Sequence, residues 1–332
     1  MEKINNFISR LAPGSIAVVV NDREKFEHFR TLNSGARTFH ITQETDPVGT
    51  IMTELFGNSS TKQCGLHLHF DLIFCGKETT WEMFNQLKKF IHPGGITVYK
   101  GTEEVFIPAS PKDIRFAKLT DEDKNYLWQK VSEIPDNGIY VEIGSYKGGS
   151  ALLAAAANPR IRIYCVDIWQ QDGDKLVFTS FDTWERHAQY YPNIIPVRVD
   201  PANLEAGPLK IAELENIPLE QLKFDLLYVD GDHSYNGVMT DLNIYEKYAD
   251  NICGHDFHVR GEVPMAVYEY YSTGWKQMLN RIYNKLYKFK YIQRLLRLIR
   301  RDLMDRLFFR PKQIGHMHYK KDHSSIWFTT NK

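Results

Sequence analysis

The sequence predicts an α/β protein made of two consecutive domains, each built around a parallel sheet. Short apolar runs of strand length alternate with segments of helical period along most of the 332 residues. The alternation stops at residues 106–120, where two prolines occur without a clear period, and it starts again at residue 121. Strands that alternate with helices are typical of βα units, in which neighbouring strands are parallel.

The first predicted domain is a small α/β unit over residues 1–105. Its first strand contains the uninterrupted apolar run Ile-Ala-Val-Val-Val, as expected for a strand buried on both faces. No glycine-rich turn follows this strand, so we interpret the domain as a degenerate unit without a cofactor turn, joined to the rest by a linker at 106–120. The predicted strands are 15–20, 37–42, 69–75 and 93–100, and the predicted helices are 24–32 and 81–91.

The second predicted domain covers residues 121–332 and begins with a helix. The final strand is expected to be antiparallel to the others. The predicted strands are 138–144, 160–169, 194–200, 224–230, 251–257 and 324–330, and the predicted helices are 121–134, 150–158, 181–191, 209–215 and 235–248.

Composition sets few limits on function. Lys plus Arg and Asp plus Glu both number 41, so the net charge indicates no partner. No apolar run reaches the roughly 18–20 residues that span a bilayer, and the N-terminus lacks the apolar core of a signal peptide. The cysteines form no CxxC pair, which favours buried thiols in a reducing, cytoplasmic setting. They are Cys64, Cys75, Cys165 and Cys253.

A glycine-rich turn follows the strand at 138–144. Gly144 permits a tight turn, and Gly148 and Gly149 remove side chains where a ligand would approach the backbone. The helix that begins at Ser150 directs unsatisfied N–H groups toward the same place. The turn therefore predicts a ligand with a polar or anionic group at the carboxyl end of the sheet.

Two ligand classes fit such a turn. Dinucleotides favour GxGxxG, whereas here the spacing is Glu142-x-Gly144-x-x-x-Gly148-x-Ser150, with an acid inside the strand end. Glu142 would repel a pyrophosphate but suits a cationic aminoacyl sulfonium. Asp167, at the end of the next strand, is placed to accept both ribose hydroxyls of a nucleoside.

Several motifs resemble those of class I S-adenosylmethionine-dependent methyltransferases. Val141-EIGSYKGGS-150 followed by Cys165-VDIW-169 is similar to the first two motifs of that family. Asp230-GDHSY-235 and Gly254-HDF-257 resemble a branch that includes sugar and macrolide O-methyltransferases. The resemblance covers about residues 121–270 and the final strand. It implies a Rossmann-like class I methyltransferase domain, preceded here by the smaller degenerate Rossmann-like unit.

The resemblance also implies a set of residues that bind S-adenosyl-L-methionine. Glu142 and Gly144 would line its methionine part, and Asp167 would bind the ribose. Trp169 would lie against the adenine or belong to the core, and Asp200 would contact the adenine amine or be a solvated strand-end acid. The remaining implied contacts are Ser145, Tyr146, Gly148, Ser150 and Ile168.

Acidic and histidine residues follow two strands whose ends meet at the same edge of the sheet. Asp230, Asp232 and His233 come after one strand, and His255 and Asp256 after the next. Paired carboxylates with one imidazole suit a hard divalent ion such as Mg²⁺, which would hold the acceptor's hydroxyl oxygens. By resemblance to metal-dependent O-methyltransferases, the expected metal ligands are Asp230, Asp256 and His255.

His233 is the candidate general base, because an unperturbed imidazole accepts a proton near neutral pH. The alternative is that His233 caps the next helix or orients Asp230 through a hydrogen bond. Asp230 is the second catalytic candidate. Because the cofactor supplies the electrophile, the protein mainly positions and deprotonates the acceptor oxygen.

A basic segment lies between residues 276 and 312. It contains twelve Lys or Arg and two acids, and its apolar residues recur every three or four positions. This pattern predicts one or two amphipathic helices with a cationic face. The alternatives are a lid or dimerisation hairpin, attachment to an anionic membrane surface, and an acidic polymer. No nucleic-acid module occurs elsewhere, which disfavours nucleic-acid methylation.

The sequence thus predicts an S-adenosylmethionine-dependent O-methyltransferase for a hydroxylated small molecule or glycan, assisted by a divalent metal. It would be cytoplasmic, with peripheral attachment to the inner face of a membrane as one alternative, and a homo-oligomer is left open. Two other readings remain: a catalytically inactive scaffold or binding protein with the same fold, and an NAD-type oxidoreductase.

Overall fold

A computed structural model describes most of the chain. The described residues are 2–12, 15–42, 69–115, 117–169, 180–257, 262–273, 314–316 and 326–329, with isolated positions at 48, 51, 277, 278, 281, 282 and 285. Cys64 and nearly all of the predicted basic segment at 276–312 lie outside these residues.

Within the described residues, the first sheet has five strands, four parallel and one antiparallel. The strands are β1 (Ile16–Val20), β2 (Arg37–Ile41), β3 (Phe70–Cys75), β4 (Ile91–Tyr99) and β5 (Thr102–Val105). Their order is β2-β1-β3-β4-β5. β5 was not predicted. It exists because Lys100 and Gly101, with φ of 51° and 82°, form a two-residue hairpin turn that reverses the chain.

The helices of the N-terminal region include one that the sequence did not predict. The helices are α1 (Glu2–Ser9), α2 (Arg23–Leu32), α3 (Trp81–Lys88) and α4 (Asp121–Ser132). The unpredicted α1 is short, and it is held by Ile4 and Ile8, which lie four residues apart on one face and are each 1% exposed. The predicted linker contains a single 3₁₀ turn at Pro111–Asp113.

Successive side chains of β1 are apolar and point to opposite faces of the first sheet, so both faces are apolar there. Val18 and Val20 belong to one buried cluster and Ala17 and Val19 to the other. Successive side chains of a strand point to opposite faces, so an all-apolar strand requires cover on both. Each fully buried valine contributes about 1.5–3 kcal/mol from apolar burial.

In the part of the chain that the structure describes, the second sheet has seven strands, with β6 near its centre. The strands are β6 (Ile139–Ile143), β7 (Arg162–Asp167), β8 (Ile194–Arg198), β9 (Leu226–Val229), β10 (Ile252–Gly254), β11 (Ile314–His316) and β12 (Trp327–Thr329). Their order is β11-β12-β10-β9-β6-β7-β8. β6 is parallel to both β7 and β9, whereas β12 is antiparallel to both β10 and β11. The expectation of an antiparallel final strand is confirmed.

The later helices follow these strands in alternation. They are α5 (Gly149–Ala157), α6 (Ser180–Ala188), α7 (Ala206–Leu214), α8 (Tyr235–Tyr245) and α9 (Glu262–Tyr271). Among the described residues, none of the helices combines the length and apolar character required to cross a bilayer.

Internal contacts divide the chain into two compact units. The first unit contains Met1–Trp128, Tyr146–Pro159 and Trp169–Pro192, and the second contains Gln129–Ser145, Arg160–Ile168 and Asn193–Lys332. The segments that follow β6 and β7 therefore group with the N-terminal sheet, a pattern that no sequence signal indicated. The sequence-predicted boundary at 106–120 stays a prediction.

Candidate active site

The turn after β6 requires glycine at its first position. All five residues of β6 are buried, and Gly144 follows with a φ of 85°. A Cβ on Gly144 would lie 2.2 Å from the Asp230 carbonyl oxygen. Because that neighbour is backbone, no side-chain movement could relieve the contact. The turn therefore runs directly against the residue that follows β9.

The same turn continues into α5 through Gly148. Gly148 is the N-cap of the helix with a φ of 78°, and a Cβ there would lie 2.9 Å from Trp184 Cδ1. A glycine has no side-chain oxygen with which to cap the first N–H groups of the helix. Tyr146 also has a left-handed φ, 47°, and Ser150 lies half-buried in the first turn of α5.

Glu142 is a buried acid with hydrogen-bond donors from its own strand and turn. It is 1% exposed, and it accepts a hydrogen bond from the Tyr140 hydroxyl at 3.3 Å and another from Ser145 Oγ. Ser145 is itself 3% exposed. The structure thus brings Glu142 and Ser145 together, as the sequence-predicted site requires, and these donors hold the carboxylate in one orientation.

Asp167 ends β7 and lies beside β8. It is half-buried, pairs in register with Arg198 and accepts the Val199 N–H through its backbone oxygen at 3.1 Å. Ile168, the next residue, is also half-buried and packs against the core of the second unit. Asp167 therefore lies at a strand end, where the ribose assignment places it.

Trp169 is buried in the first unit. It is 2% exposed, its indole N–H donates to the Tyr146 carbonyl oxygen at 2.9 Å, and it packs against Phe181 and Trp184. Its φ of 37° is rare for a bulky residue, and such strained positions cluster at functional sites. These contacts are those of a core residue, and adenine stacking stays a prediction.

Asp200 is exposed beyond the end of β8. One of its carboxylate oxygens accepts the Ala202 N–H at 2.8 Å, so the side chain stabilises its own loop. A contact with an adenine amine stays a prediction.

Asp230, His255 and Asp256 form a cluster at the ends of β9 and β10. One ligand atom from each lies within 4.8 Å of the others, and all three residues are half-buried. His255 Nδ1 is 3.6 Å from Asp230 Oδ1 and 3.5 Å from Asp256 Oδ1. Asp256 has a φ of 53°. Two carboxylates and an imidazole at this spacing fit a divalent cation.

His233 contacts both carboxylates of this cluster. Its Nδ1 lies 2.8 Å from Asp256 Oδ2 and its Nε2 lies 3.4 Å from Asp230 Oδ1. The hydrogen bonds that the ring donates, first to Asp230 and then to Asp256, raise the pKa of His233 to about 10. In this arrangement the ring is an imidazolium at neutral pH. As a general base it would first have to lose that proton.

Two neighbours of the cluster have other partners. Ser234 caps α8 by accepting the Gly237 N–H at 3.0 Å, so the helix cap is Ser234 and not His233. Asp232 is exposed and accepts hydrogen bonds from Ser234 N and Oγ at 2.9 and 2.8 Å. The structure therefore gathers Asp230, His233, His255 and Asp256, and it turns Asp232 toward the start of α8.

The sequence analysis missed Asp241, which lies behind the turn after β9. It is 7% exposed, and its Oδ2 would lie 3.0 Å from a Cβ on Gly231. Burial, followed by the charge of Asp232, raises the pKa of Asp241 to about 7. An acid on the apolar face of α8, between Val238 and Tyr245, was the available signal.

The parallel sheet, in which β12 is reversed, and the turn after β6 define a Rossmann-like class I methyltransferase fold. Residues 141–253, about a third of the chain, match the model of a protein family described as a methyltransferase domain. The fold and this match support an S-adenosylmethionine-dependent methyltransferase as the class of protein. No curated protein sequence matches the chain.

Several solved structures resemble the chain at low identity. An O-methyltransferase from Bacillus cereus in complex with SAH is 13% identical, with a TM-score of 0.36, over 68% of this chain and 84% of that one. The O-methyltransferase TomG from Streptomyces achromogenes in complex with SAM is 12% identical, with a TM-score of 0.36, over 64% and 82%. A cyclopropane-fatty-acyl-phospholipid synthase-like protein from Lactobacillus casei is 13% identical, with a TM-score of 0.30, over 45% and 58%.

Proposed function

We propose that the chain is an S-adenosylmethionine-dependent O-methyltransferase that acts on a hydroxylated small molecule or glycan with the help of a divalent cation. The main support is the close approach of the Gly144 turn to Asp230, where a Cβ would lie 2.2 Å from the backbone oxygen. This approach makes the turn a direct neighbour of the carboxylate and imidazole cluster. A methyl donor at one and an acceptor oxygen at the other would then be adjacent.

The residues near the turn match the parts of the cofactor. When bound, S-adenosylmethionine supplies a methyl group on a cationic sulfonium. Glu142 would offset this positive charge with a carboxylate that Tyr140 and Ser145 already orient. Asp167 would accept the two ribose hydroxyls. Gly148 leaves the first N–H groups of α5 available to a polar part of the ligand.

The carboxylate cluster would bind the acceptor. Asp230 and Asp256 would hold Mg²⁺ or another divalent cation, with His255 as a third ligand, and the ion would lower the pKa of an acceptor hydroxyl. His233 is oriented by the short contact between its Nδ1 and Asp256. Once the imidazolium has given up a proton, its Nε2, with the longer contact to Asp230, would be the nitrogen that takes the hydroxyl proton.

The cofactor assignment is tested by calorimetry with S-adenosylhomocysteine. We expect Asp167→Ala to weaken binding at least about tenfold, because two hydrogen bonds to a charged acceptor are lost. Asp250→Ala, an exposed acid of the second unit, is the matched control and should bind as the wild type does. Unchanged affinity in Asp167→Ala would remove the ribose assignment. Weaker binding in Asp200→Ala would assign Asp200 to the adenine.

The chemistry is tested by transfer of a labelled methyl group to a panel of sugars and hydroxylated small molecules. Asp230→Asn should abolish transfer while S-adenosylhomocysteine still binds, whereas Asp232→Asn should retain activity because Asp232 faces Ser234. His233→Gln should likewise lose turnover and keep cofactor binding. Full activity in the presence of a chelator would contradict the role of a metal.

The location of the reaction is a separate part of the proposal. The basic segment at 276–312 would attach the protein to the inner face of a membrane through anionic lipids, and the protein would otherwise be cytoplasmic. Its twelve basic residues support this part. Deletion of 276–312 should release the protein from vesicles of anionic lipid. If the full-length protein does not bind these vesicles, membrane attachment is wrong and a lid or dimerisation hairpin remains.

Two measurements separate this proposal from the other readings. Binding of NAD in place of S-adenosylhomocysteine would favour an oxidoreductase, which Glu142 at the turn disfavours. Tight binding of S-adenosylhomocysteine without methyl transfer to any acceptor, with or without Mg²⁺, would favour a scaffold.

A further inference from the structure

Helix α6 contacts the glycine-rich turn at several consecutive residues. His187 Nδ1 donates to the Lys147 carbonyl oxygen at 2.6 Å. Trp184 lies against Gly148, close enough that a Cβ there would come within 2.9 Å of its ring. Trp184 also packs on Trp169, whose indole N–H donates to the Tyr146 carbonyl oxygen. The backbone at residues 146–148 is therefore held by side chains on or beside α6.

The same helix is attached to the N-terminal sheet by a buried ion pair. Arg186 Nη2 lies 2.7 Å from Asp71 Oδ2 and donates to the His69 carbonyl oxygen at 2.8 Å. Asp71, on β3, is 0% exposed, and Arg186 is 13% exposed at its side chain. The Tyr190 hydroxyl, just beyond α6, donates to the other Asp71 oxygen at 3.0 Å.

Asp71 also connects α6 to β1. Its Oδ2 accepts the Ile16 N–H at 2.7 Å, at the first residue of that strand. One carboxylate thus joins β1, β3 and the α6 segment. The Gln189 side chain adds a second link, since it accepts the Ala12 N–H at 2.9 Å and donates to Ser15 Oγ at 3.3 Å.

A buried ion pair is better suited to fixing a position than to stabilising a fold. Desolvation of both charges offsets most of their attraction, and apolar residues of similar volume often stabilise as much. A guanidinium that forms directed bonds to a carboxylate and a carbonyl, however, allows little rotation of the helix that holds it. The division of the chain agrees with this view, because residues 146–159 and 169–192 group with the N-terminal sheet.

We propose that Asp71 and Arg186 are positioning residues for the glycine-rich turn. Through them the N-terminal sheet holds α6, and α6 holds Tyr146, Lys147 and Gly148 in the conformation that binds the cofactor. This inference rests on the proposed function for the identity of the ligand. It assigns to the N-terminal sheet a role in methyl transfer, as the support of α6 and, through α6, of residues 146–148.

The test uses the full chain and the neutral pair Asp71→Asn with Arg186→Met. Asparagine keeps one acceptor oxygen for the Ile16 N–H, and its amide nitrogen can donate to the Tyr190 hydroxyl oxygen in place of the bond that Tyr190 donates to Asp71. The double variant removes both charges of the buried pair. We expect hydrogen exchange at the amides of 147–149 to speed up at least about tenfold without cofactor, because the turn loses its support. The dissociation constant for S-adenosylhomocysteine should rise at least about tenfold.

A second ion pair provides the matched control. Arg162 and Glu215 pair within the second unit, at β7 and the end of α7. Arg162→Met with Glu215→Gln should lower the melting temperature without changing exchange at 147–149 or the dissociation constant. Equal effects of the two double variants would mean that Asp71 and Arg186 act only on stability, and the proposal would fail.

His187→Phe tests the contact between α6 and the glycine-rich turn, and it replaces the double variant as the test if that variant does not fold. It removes the hydrogen bond to Lys147 and leaves Asp71 and Arg186 intact, so exchange at 147–149 should again accelerate. Unchanged exchange would contradict the link from α6 to the turn. The exchange measurement needs no cofactor. If the wild type does not bind S-adenosylhomocysteine, the proposed function is therefore wrong, but the exchange measurement still tests whether α6 holds residues 147–149.

Discussion

The first strand of each sheet leads into a helix through a sharp turn, and the two turns treat the helix N-terminus differently. β1 and β6 are both buried along their whole length. After β1, Asn21 takes a φ of 52°, and Asp22 then caps α2 by accepting the Lys25 N–H at 3.0 Å. After β6, the N-cap of α5 is Gly148, which has no side chain to do so.

The two turns therefore differ in whether a side chain of the protein caps the helix that follows: Asp22 caps α2, whereas Gly148 makes no side-chain cap at α5. The Asp22 carboxylate occupies the place where a ligand's anionic or polar group would meet the N–H groups of α2. At α5, no side chain of the N-cap residue occupies that place, and the proposed cofactor would bind there. The sequence marks the distinction with Asn-Asp in one turn and with glycines in the other. The candidate site therefore lies at the turn after β6 and not at the turn after β1.

The largest expected effect comes from a side chain at the second turn. Gly144→Ala would force a Cβ against the Asp230 backbone at a positive φ. We therefore expect the free energy of unfolding to fall by at least about 3 kcal/mol and cofactor binding to be lost. Gly101→Ala is the control, because Gly101 has a similar φ of 82° with no atom within 4 Å of its Cβ position. It should cost about 1 kcal/mol. Urea denaturation measures both, and equal losses would show that the close contact is unimportant.

The two units should also differ in their response to acid. Burial, followed by the charge of Arg186, lowers the pKa of His92 to about 3, and burial also lowers the pKa of His187. Both rings stay neutral in the folded state while the unfolded chain binds protons below about pH 6.5. Stability should therefore fall as the pH drops from about 6.5 toward 3, by up to about 1.4 kcal/mol per pH unit for each ring.

Replacement of one ring tests this expectation. His92→Gln cannot be protonated, so the slope of the unfolding free energy between pH 6.5 and 5 should decrease relative to the wild type. Urea denaturation at several pH values measures the slope, and His28→Gln, in a half-buried residue of α2, is the control. An unchanged slope in His92→Gln would mean that its ring is protonated in the folded protein.

In the second unit, Asp241 should make stability depend on pH in the opposite direction. Its pKa of about 7 means that the folded state keeps a proton which the unfolded chain loses near pH 4. Its contribution to stability is complete below pH 4 and is lost as the pH rises to about 7. Asp241→Asn should therefore be more stable than the wild type at pH 8, and the gain should vanish toward pH 4. Lower stability at pH 8 would show that the carboxylate has a partner which an amide cannot replace.

The smallest expected effect is at the first turn. Asp22→Ala removes the cap of α2 and should cost about 1 kcal/mol of stability, with no change in the affinity for S-adenosylhomocysteine. Asp22→Asn keeps an acceptor oxygen and should lose less. Thermal denaturation and calorimetry on the same samples measure both quantities. Weaker cofactor binding in Asp22→Ala would mean that the turn after β1 also affects the cofactor site, and not only the stability of α2.

Several elements were predictable because their signals are local. The buried strands β1, β3, β6, β7 and β9 are apolar runs bounded by turn residues, and the helix caps at Asp22, Thr80 and Ser234 are side chains of the expected type. The glycine turn was found because Gly144 follows an apolar strand directly. α1 and β5 were missed because α1 has only two turns and β5 has no alternation of its own.

The candidate site was predictable only as a list of residues. Strand ends placed Asp230, His255 and Asp256 at one edge, yet the orientation of Asp232 toward Ser234 depends on the loop's own hydrogen bonds. The raised pKa of His233 depends on two carboxylates from different strands. Nothing near Arg186 in the sequence indicates Asp71, because 115 positions separate the two residues.

The sequence by itself determined the alternation of strands and helices, the positions that must be glycine and the acids that end the strands. These features depend on apolar period, on φ and on neighbours within a few residues. Only the tertiary structure decided which acids meet, which histidine is charged and which helix supports the turn. Those outcomes depend on distances between side chains far apart in the chain, and both burial and Coulomb energy are set by such distances.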